Sequence, residues 1–345
     1  MRAKGLARAA VAALLCIATR AQAATFDPGL IDAARKEGTV VWYSGLVVNQ
    51  LLRPMTEAFE ARFPGMKLQY ARASNTDTTV KLINEARARR MQADVVDVAS
   101  GNVALMDAGI LAPYRPRAAE HYPAELKDKN GRWTASNLYF MTVAYNTNAV
   151  KPDEIPKTFA DLLAPRWKGH MAWTSELSAQ AAPGFIFNVV SVMGEEKGLA
   201  WLRQFAAQEP VSIAASPRAV LDQVIAGEHQ IGLMMYNHNV AISRKDGAPI
   251  EAARIEPLVA LFNIIGLVAN GPHPNAGKLL LEFILSDEGQ AVMARQDYLP
   301  ADPTVPAAIP ALKPDAGHFA VTILSPEAAR AGLARWIAIY HEVFR

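Results

Sequence analysis

Small hydrogen-bonding residues follow several apolar segments of this sequence. Ser, Thr and Asn side chains donate and accept hydrogen bonds, and a helix that begins there adds free backbone N–H groups. The positive end of the helix dipole favours an anionic group at such positions. The candidates are Ser44, Gly45, Ser74, Asn75, Thr76, Ser100, Asn102, Thr174, Ser175, Tyr236, Asn237 and His238. Any one of the short side chains is also an ordinary helix N-cap, so only the set as a whole indicates a ligand site.

Aromatic residues lie near the same positions and suggest a second kind of contact. They are Trp42, Tyr43, Tyr139, Trp173 and Tyr236. Such rings stack on planar or sugar-like groups. Because side chains alternate between the two faces of a strand, only some of these rings can face a ligand, and the others belong to the core.

The residue patterns of common enzymes are missing from the sequence. There is no phosphate-cradling glycine motif, no pair of metal-binding histidines on one helix and no nucleophile elbow. The seven histidines are scattered, and the single cysteine is Cys16. We therefore expect a binding protein without a cofactor rather than an enzyme.

The elements that must position the candidate residues alternate between strands and helices. In the first third, strands are predicted at 39–43, 66–71 and 95–98, and amphipathic helices at 51–63 and 76–90. Three such units imply a mostly parallel sheet with right-handed crossovers. The ligand site of an open α/β sheet lies beyond the carboxyl ends of its strands, which is where the candidate residues are found.

The rest of the chain continues the α/β pattern. Strands are predicted at 138–145, 170–173, 230–236 and 258–269, and helices at 182–193, 196–206, 217–226, 275–285 and 326–344. The last helix carries an apolar stripe that is typical of core packing. A short helix before Pro165 and a tight turn at 167–169 precede the strand at 170–173.

The first 23 residues have the pattern of a cleavable secretory signal. Arg2, Lys4 and Arg8 precede an apolar run at 9–18, and small residues at 21–23 form a cleavage site. The signal carries four basic residues and no acidic one, so its removal changes the formal charge from +2 to −2. Nothing then favours nucleic acid as a partner. We expect a periplasmic product of 322 residues, long enough for two lobes.

The segment 158–175, TFADLLAPRWKGHMAWTS, resembles the junction of periplasmic solute-binding proteins of ABC importers. The similarity is to family 1 of the extracellular solute-binding proteins, which has the type 2 periplasmic-binding-protein fold. Within that family it is to the branch of the ferric-ion-binding proteins. Further shared segments are 40–45, 93–98, 143–146 and 283–290. The resemblance implies an α/β fold of two lobes, each a mostly parallel sheet flanked by helices, joined by two crossing hinge strands near 139–140 and 260–262.

The resemblance also implies where each lobe lies and what the protein does. Residues 26–139 plus 262–309 would form lobe 1, and 140–261 plus 310–345 lobe 2. A small polar ligand, with an anion as the leading choice, would be captured between the lobes by hinge closure. The protein, expected to be a monomer, would then deliver it to an ABC permease in the inner membrane. A ligand-sensing partner of a membrane receptor would have the same fold.

Iron is the second candidate for the ligand. The ferric-binding relatives use a His, a Glu and two adjacent tyrosines, and the matching positions here are Val47, Ala99, Asn237 and His238. Only Tyr236, one residue away, would supply a phenolate. A hard Fe(III) ion needs several anionic oxygen ligands, so that ligand set is not expected to bind the bare ion. Ferric iron with an anion, or an iron chelate, stays the alternative.

Overall fold

A computed structural model describes residues 26–100 and 103–344 of the chain. The expected secretory signal at 1–23 and the candidate Asn102 lie outside the described residues. Within the described ranges, no helix combines the length and the apolar character needed to cross a bilayer.

Twelve strands and twelve α-helices make up the regular structure of the described residues. The strands are β1 Thr39–Ser44, β2 Lys67–Arg72, β3 Val95–Ala99, β4 Leu111–Ala112, β5 Thr134–Asn146, β6 Met171–Thr174, β7 Val211–Ile213, β8 Ile231–Tyr236, β9 Ile250–Ala253, β10 Leu258–Val268, β11 Leu299–Pro300 and β12 Val321–Ile323. The helices are α1 Pro28–Glu37, α2 Arg53–Arg62, α3 Asn75–Arg87, α4 Val103–Asp107, α5 Ala182–Met193, α6 Glu195–Ala206, α7 Pro217–Ala226, α8 Asn237–Lys245, α9 Pro274–Leu285, α10 Asp287–Arg295, α11 Pro314–Gly317 and α12 Pro326–Phe344.

Proline explains two departures from the predicted helices. The helix predicted at 51–63 is divided into a π-helical turn, Val48–Leu52, and α2, because Pro54 has no N–H to donate to the preceding turn. The helix predicted before Pro165 is two 3₁₀ turns, Ala160–Leu163 and Pro165–Trp167. Both segments keep the apolar contacts that the pattern predicts, since Leu51, Leu52 and Leu162 are buried.

All strands belong to one mixed sheet, whose main path is β2-β1-β3-β10-β5-β8-β6-β7. The pairs β1–β2, β1–β3, β6–β7 and β6–β8 are parallel. The pairs that β10 and β5 make along the path are antiparallel. The predicted α/β class is therefore confirmed, with parallel flanks on both sides of an antiparallel centre.

The strands β5 and β10 form the centre of the sheet and pair with each other along most of their length. Phe140 lies opposite Ala260, and Tyr139 lies opposite Leu261. The ladder is interrupted between Asn263 and Ile264, and β5 pairs irregularly with β8 between Thr142 and Ala144. The second irregularity contains Met234, whose φ of 56° is unusual for a residue with a side chain.

Two large apolar cores lie on either side of this centre. The first core contains Trp42, Phe59, Phe63 and Phe283, whose phenylalanine rings touch edge to face. The second core contains Trp173, Phe185, Phe205 and Tyr340. The predicted apolar stripe of α12 packs into the second core through Trp336, Ile339 and Tyr340.

Candidate functional site

A cleft of about 300 Å³ opens where β1, β3 and β8 end, over the middle of β5 and β10. Its polar and aromatic lining comes from both halves of the sheet and includes Gly45, Gln50, Asn75, Tyr139, Gln180, Tyr236, His238, Asn239, Asn263, Asp297 and Tyr298. A wider adjoining space of about 760 Å³ shares Asn75, Ala99 and Gln180 with the cleft. The cleft is large enough for a small organic molecule.

Three aromatic rings form one wall of the cleft. The ring of Tyr236 lies 5.6 Å from that of Tyr139 and 5.5 Å from that of His238, measured between centroids. The rings of Tyr139 and His238 are 6.2 Å apart. Such tilted and edge-on contacts hold each ring in place, so the wall presents a fixed surface to a ligand.

The tyrosines of the cleft are neutral hydrogen-bond donors. Burial raises the pKa of Tyr236 to about 12, and the nearby Glu176 carboxylate adds to the shift. Burial also raises the pKa values of Tyr139 and Tyr298 above the ordinary value for tyrosine. All three hydroxyls therefore keep their protons at neutral pH and can donate to an oxygen of a ligand.

His238 contributes a neutral imidazole to the same wall. Burial lowers its pKa to about 4, and the Asp297 carboxylate offsets only a small part of the shift. Its Nδ1 atom is buried and has no hydrogen-bond partner among the described residues. A ring nitrogen without a partner is expected to bind a ligand or a water molecule, since a buried polar atom is costly to leave unpaired.

Three helices begin at the cleft. Asn75 is the first residue of α3, Gln180 lies just before α5, and α8 follows directly after Tyr236. The Ser74 hydroxyl caps α3 by accepting from the Asp77 N–H, but α5 and α8 have no side-chain cap. The N-termini of these uncapped helices lie beside the cleft, and the positive ends of their dipoles favour an anionic group there.

The lining itself carries almost no formal charge. Asp297 is its only acidic residue, and no Lys or Arg occurs among the described residues that line the cleft. An anion would therefore be neutralised by hydrogen bonds and helix dipoles rather than by a buried cation. Hydrogen bonds to a charged group contribute about 1.5–3 kcal/mol each, so three or four of them suffice for tight binding.

A buried carboxyl lies directly beneath the cleft. Asp97 is completely buried; its Oδ2 atom accepts a hydrogen bond of 3.4 Å from the Asn263 amide, and Asn263 lines the cleft. Burial raises the pKa of Asp97 to about 7, although the Ser44 hydroxyl lowers it in part. The charge under the cleft floor therefore changes near neutral pH.

The structure brings some of the predicted site residues together. Gly45, Asn75, Tyr236 and His238 line the cleft, and Asn75 also lines the adjoining wider space together with Ser74 and Thr76. Of the predicted aromatic contacts, Tyr139 and Tyr236 face the cleft, whereas Trp42, Tyr43 and Trp173 are core residues.

Other predicted site residues do not reach the cleft. Ser44 and Thr174 are completely buried; the Ser44 hydroxyl accepts from the Leu46 N–H, and the Thr174 hydroxyl donates to the Ala215 carbonyl. Ser100 is buried, and Ser175 is half-buried with its N–H bonded to the Ile213 carbonyl. Asn237 lies on the opposite side of α8.

The sequence reasoning missed Gln50, Gln180, Asn263 and Tyr298. Tyr298 lies between α10 and the two-residue strand β11, where no periodic pattern marks a strand end. Its hydroxyl accepts a hydrogen bond of 3.4 Å from the Val47 N–H, which ties together two loops far apart in the sequence. The local sign of a turn is Asp297, whose φ of 61° is a conformation that Asp tolerates.

The residues also allow a test of metal binding. No group of three or more His, Cys, Asp or Glu side chains in the described ranges is arranged to hold a metal ion. The cleft instead offers three phenol oxygens, of Tyr139, Tyr236 and Tyr298, and the neutral imidazole of His238. Deprotonated phenols are hard oxygen ligands that suit a trivalent cation.

Comparison with known proteins agrees with the fold. Iron uptake protein A1 of Synechocystis sp. is 26% identical over 204 residues, 55% of this chain and 56% of that protein. This chain thus spans about half the length of that relative. The solved structure of Trichodesmium IdiA (FutA) with iron and citrate ligands has a TM-score of 0.74 and 21% identity, with 89% of this chain and 99% of that chain covered.

A second solved structure, AfuA of Actinobacillus pleuropneumoniae with fructose-6-phosphate bound, has a TM-score of 0.71 at 20% identity and covers 89% of this chain and 98% of its own. The family model described as bacterial extracellular solute-binding protein matches residues 100–319. The matched range includes α5, α8 and both central strands, and the resemblance seen in the segment 158–175 is confirmed. Because the family model covers more than half of the sequence, the chain belongs to the bacterial extracellular solute-binding proteins.

Proposed function

We propose that this protein is the periplasmic binding component of an ABC importer and that its cleft takes a small organic anion. One observation carries the proposal. The uncapped N-termini of α5 and α8 and the neutral hydroxyls of Tyr236 and Tyr298 meet at a cleft whose described lining has no basic side chain. Donors without charge complement a carboxylate or phosphate oxygen and need no buried cation.

The ligand would be held from both halves of the molecule. Asn75 and Tyr298 lie on the side of the first core, and Gln180 and His238 on the side of the second. A ligand that bonds to both sides stabilises the closed arrangement, because its contacts with one side are lost when the cleft opens. We propose the lobe borders given above, 26–139 plus 262–309 and 140–261 plus 310–345, with closure about the paired strands β5 and β10.

Delivery to the transporter follows from closure. The protein would be exported by the signal at 1–23 and would act as a monomer. Its closed form would present both lobes to the permease in one fixed orientation. The names of similar proteins support this role, since the AfuA structure is that of a periplasmic binding protein with fructose-6-phosphate bound.

Native mass spectrometry of the protein purified gently from the periplasm tests the proposal. We expect an added mass that matches a small organic anion and that disappears on acid denaturation. Titration calorimetry with the compound so identified should give a single site. A protein that carries no added mass, and that binds none of a panel of carboxylates and sugar phosphates, would overturn the organic-anion assignment.

Ferric iron held together with an anion is the second candidate, and the three phenol groups favour it. The relative from Synechocystis is named an iron uptake protein, and the Trichodesmium structure contains iron and citrate. Iron bound by deprotonated tyrosines absorbs visible light through charge transfer. A coloured complex formed with ferric citrate, and lost in Tyr298→Phe, would establish this candidate. A colourless titration would leave the organic anion alone as the ligand.

A further inference from the structure

A second pocket lies on the side of α8 that faces away from the cleft. It has a volume of about 370 Å³, and its floor is formed by Thr142, Asn237, Val240, Leu258, Leu312 and Phe319. The helix α8 separates the two spaces, because His238 and Asn239 line the cleft while Asn237 and Ala241 line the second pocket.

Most of the floor is apolar and buried. Val240, Leu258 and Phe319 expose 8% of their surface or less. The apolar floor lies between α8 and the chain segment at 309–319, so a ligand there would be enclosed by two elements. An apolar ligand body gains free energy from such a floor in proportion to the area that it removes from water.

One polar atom in the floor has no partner. The Asn237 side chain is 6% exposed, and its Nδ2 atom donates to the Leu312 carbonyl at 3.2 Å. This bond fixes the orientation of the amide and leaves Oδ1, which is buried and accepts no hydrogen bond from any described residue. An acceptor in this position is satisfied by a ligand that brings an N–H or O–H donor.

The rim of the pocket is positively charged. Arg244, Lys245 and Arg254 line it against a single acidic residue, Glu251, which forms an ion pair with Arg244. Arg254 donates to the Gly317 carbonyl at 2.9 Å. Lys245 is exposed and forms no ion pair within the described part of the chain. The rim therefore suits a carboxylate that stays partly in solvent.

We propose that this pocket is a second ligand site, for a small amphipathic carboxylate that has an apolar body and an N–H or O–H donor. The apolar body lies on Val240, Leu258 and Phe319, the donor bonds to Asn237 Oδ1, and the carboxylate meets Lys245. The site is separate from the cleft, because neither Asn237 nor Lys245 lines the cleft.

N-acetyl-L-leucine has all three features and serves as the probe. Its binding to the full mature chain is followed by the shifts of backbone amide NMR signals during titration. We expect saturable shifts centred on Ala241, Leu312 and Phe319. N-acetyl-L-leucinamide, in which a neutral amide replaces the carboxylate, should bind about threefold more weakly, because it loses an exposed charge contact. Hexanoate, which lacks the donor, should bind about tenfold more weakly, because it loses a hydrogen bond to a buried acceptor.

Two variants and one control locate the binding. Asn237→Leu removes the buried acceptor and should weaken N-acetyl-L-leucine about tenfold, whereas Lys245→Gln should weaken it about threefold without touching the floor. Lys197→Gln, an exposed lysine on α6, should leave binding unchanged. Asn237→Leu also removes the bond to Leu312, so Lys245→Gln keeps the test valid if that variant folds poorly.

Three results would overturn the proposal. The first is no saturable shift at about 10 mM probe, where a ligand of this size should occupy a matching pocket. The second is a set of shifts centred on His238 and Tyr298, which would place the probe in the cleft. The third is equal affinity for N-acetyl-L-leucine in the unchanged protein and in Lys245→Gln.

Discussion

Tyr139 and Tyr236 touch edge to face across the boundary between β5 and β8, with ring centroids 5.6 Å apart and planes at 62°. Tyr139 is also the residue of β5 that lies opposite Leu261 of β10. One wall of the cleft is therefore built on the strand pair that joins the two cores. Any change in the angle between the cores moves this wall relative to Asn75 and Tyr298.

We expect the hydroxyls of Tyr236 and Tyr298 to bind the ligand, and that of Tyr298 also holds the Val47 N–H. Tyr236→Phe and Tyr298→Phe should each weaken ligand binding about tenfold, because each removes one donor to a charged group. The melting temperature of Tyr236→Phe should stay within about 2 °C of the unchanged protein, since ring packing is kept. Tyr298→Phe should lower it slightly more, because the Val47 N–H loses its acceptor. Calorimetry with the ligand identified by mass spectrometry measures the affinity.

The matched control is Tyr70→Phe on β2, which lies outside the cleft lining. It should change neither affinity nor stability. Unchanged affinity in Tyr236→Phe, combined with unchanged affinity in the larger truncation Tyr236→Ala at a native melting temperature, would remove this residue from the site.

His238 should make the protein less stable in acid. The pKa in the folded state is about 4, below the ordinary value of 6.5, so the unfolded chain binds the proton more tightly. The free energy of unfolding should therefore fall as the pH decreases from about 6.5 to about 4, by about 3 kcal/mol from this residue. Urea unfolding at several pH values measures it.

His238→Gln should flatten this part of the stability curve, whereas His170→Gln, an exposed histidine, should leave its shape unchanged. Equal acid sensitivity in the unchanged protein and in His238→Gln would mean that the imidazole is free to take up a proton in the folded state.

Asp97 should change the free energy of unfolding in the opposite direction to His238, with lower stability at higher pH. Its pKa in the folded state, about 7, lies above the ordinary value of 3.8, so the folded protein binds the proton more tightly. Its contribution to the free energy of unfolding is highest below about pH 4 and decreases as the pH rises to about 7. Above that pH the free energy of unfolding is lower by about 4 kcal/mol from this residue. Asp97→Asn should therefore raise the melting temperature at pH 8.

Asp94 offers a matched contrast for this test. It is as deeply buried as Asp97, but it accepts hydrogen bonds from the Val41 and His273 N–H groups at 2.8 and 2.6 Å. Asp94→Asn should destabilise the protein at pH 8, because one of these donors would face an amide NH₂ group. Similar destabilisation by Asp97→Asn and Asp94→Asn at pH 8 would contradict the difference expected between the two carboxyl groups.

We expect the Gln290 side chain to be essential for holding the first core against the central strands. Its Nε2 atom donates to the Ser136 and Ile284 carbonyls, both at 2.9 Å, and its Oε1 atom accepts from the Asp302 N–H at 3.1 Å. Gln290→Met keeps the volume and removes all three bonds, so we expect a loss of about 3 kcal/mol in the free energy of unfolding.

Chemical denaturation measures this loss, and Gln296→Met, at the less buried end of α10, is the control. A loss below about 1 kcal/mol in Gln290→Met would mean that water replaces the missing partners of these buried groups.

Much of the fold was predictable because its elements are locally determined. α7 and α12 begin and end as predicted, since Ser216 and Gly227 cap α7 and the apolar stripe of α12 has a clear period. Short strands such as β4 and β11 were not predictable. They contain two residues each and owe their conformation to pairing with β10 and β5.

The site was less predictable than the fold. Residues at the start of a helix, such as Asn75, could be placed because strand ends mark the cleft edge. The sequence could not tell that Asn237 and His238 face opposite sides of α8, because no helix was predicted after Tyr236. Tyr298 reaches the cleft through a loop whose position depends on contacts with distant residues such as Val47.

The two irregular points beside the crossing strands affect how the molecule can flex. At one of them Ser136 has no opposite residue in β10, and its carbonyl is held by Gln290 instead; at the other, two residues of β8 face one residue of β5. A ladder that is already interrupted on both sides bends there without losing further bonds. The sheet can therefore bend at these two irregular points, and the regular segment of β5 between them carries Tyr139.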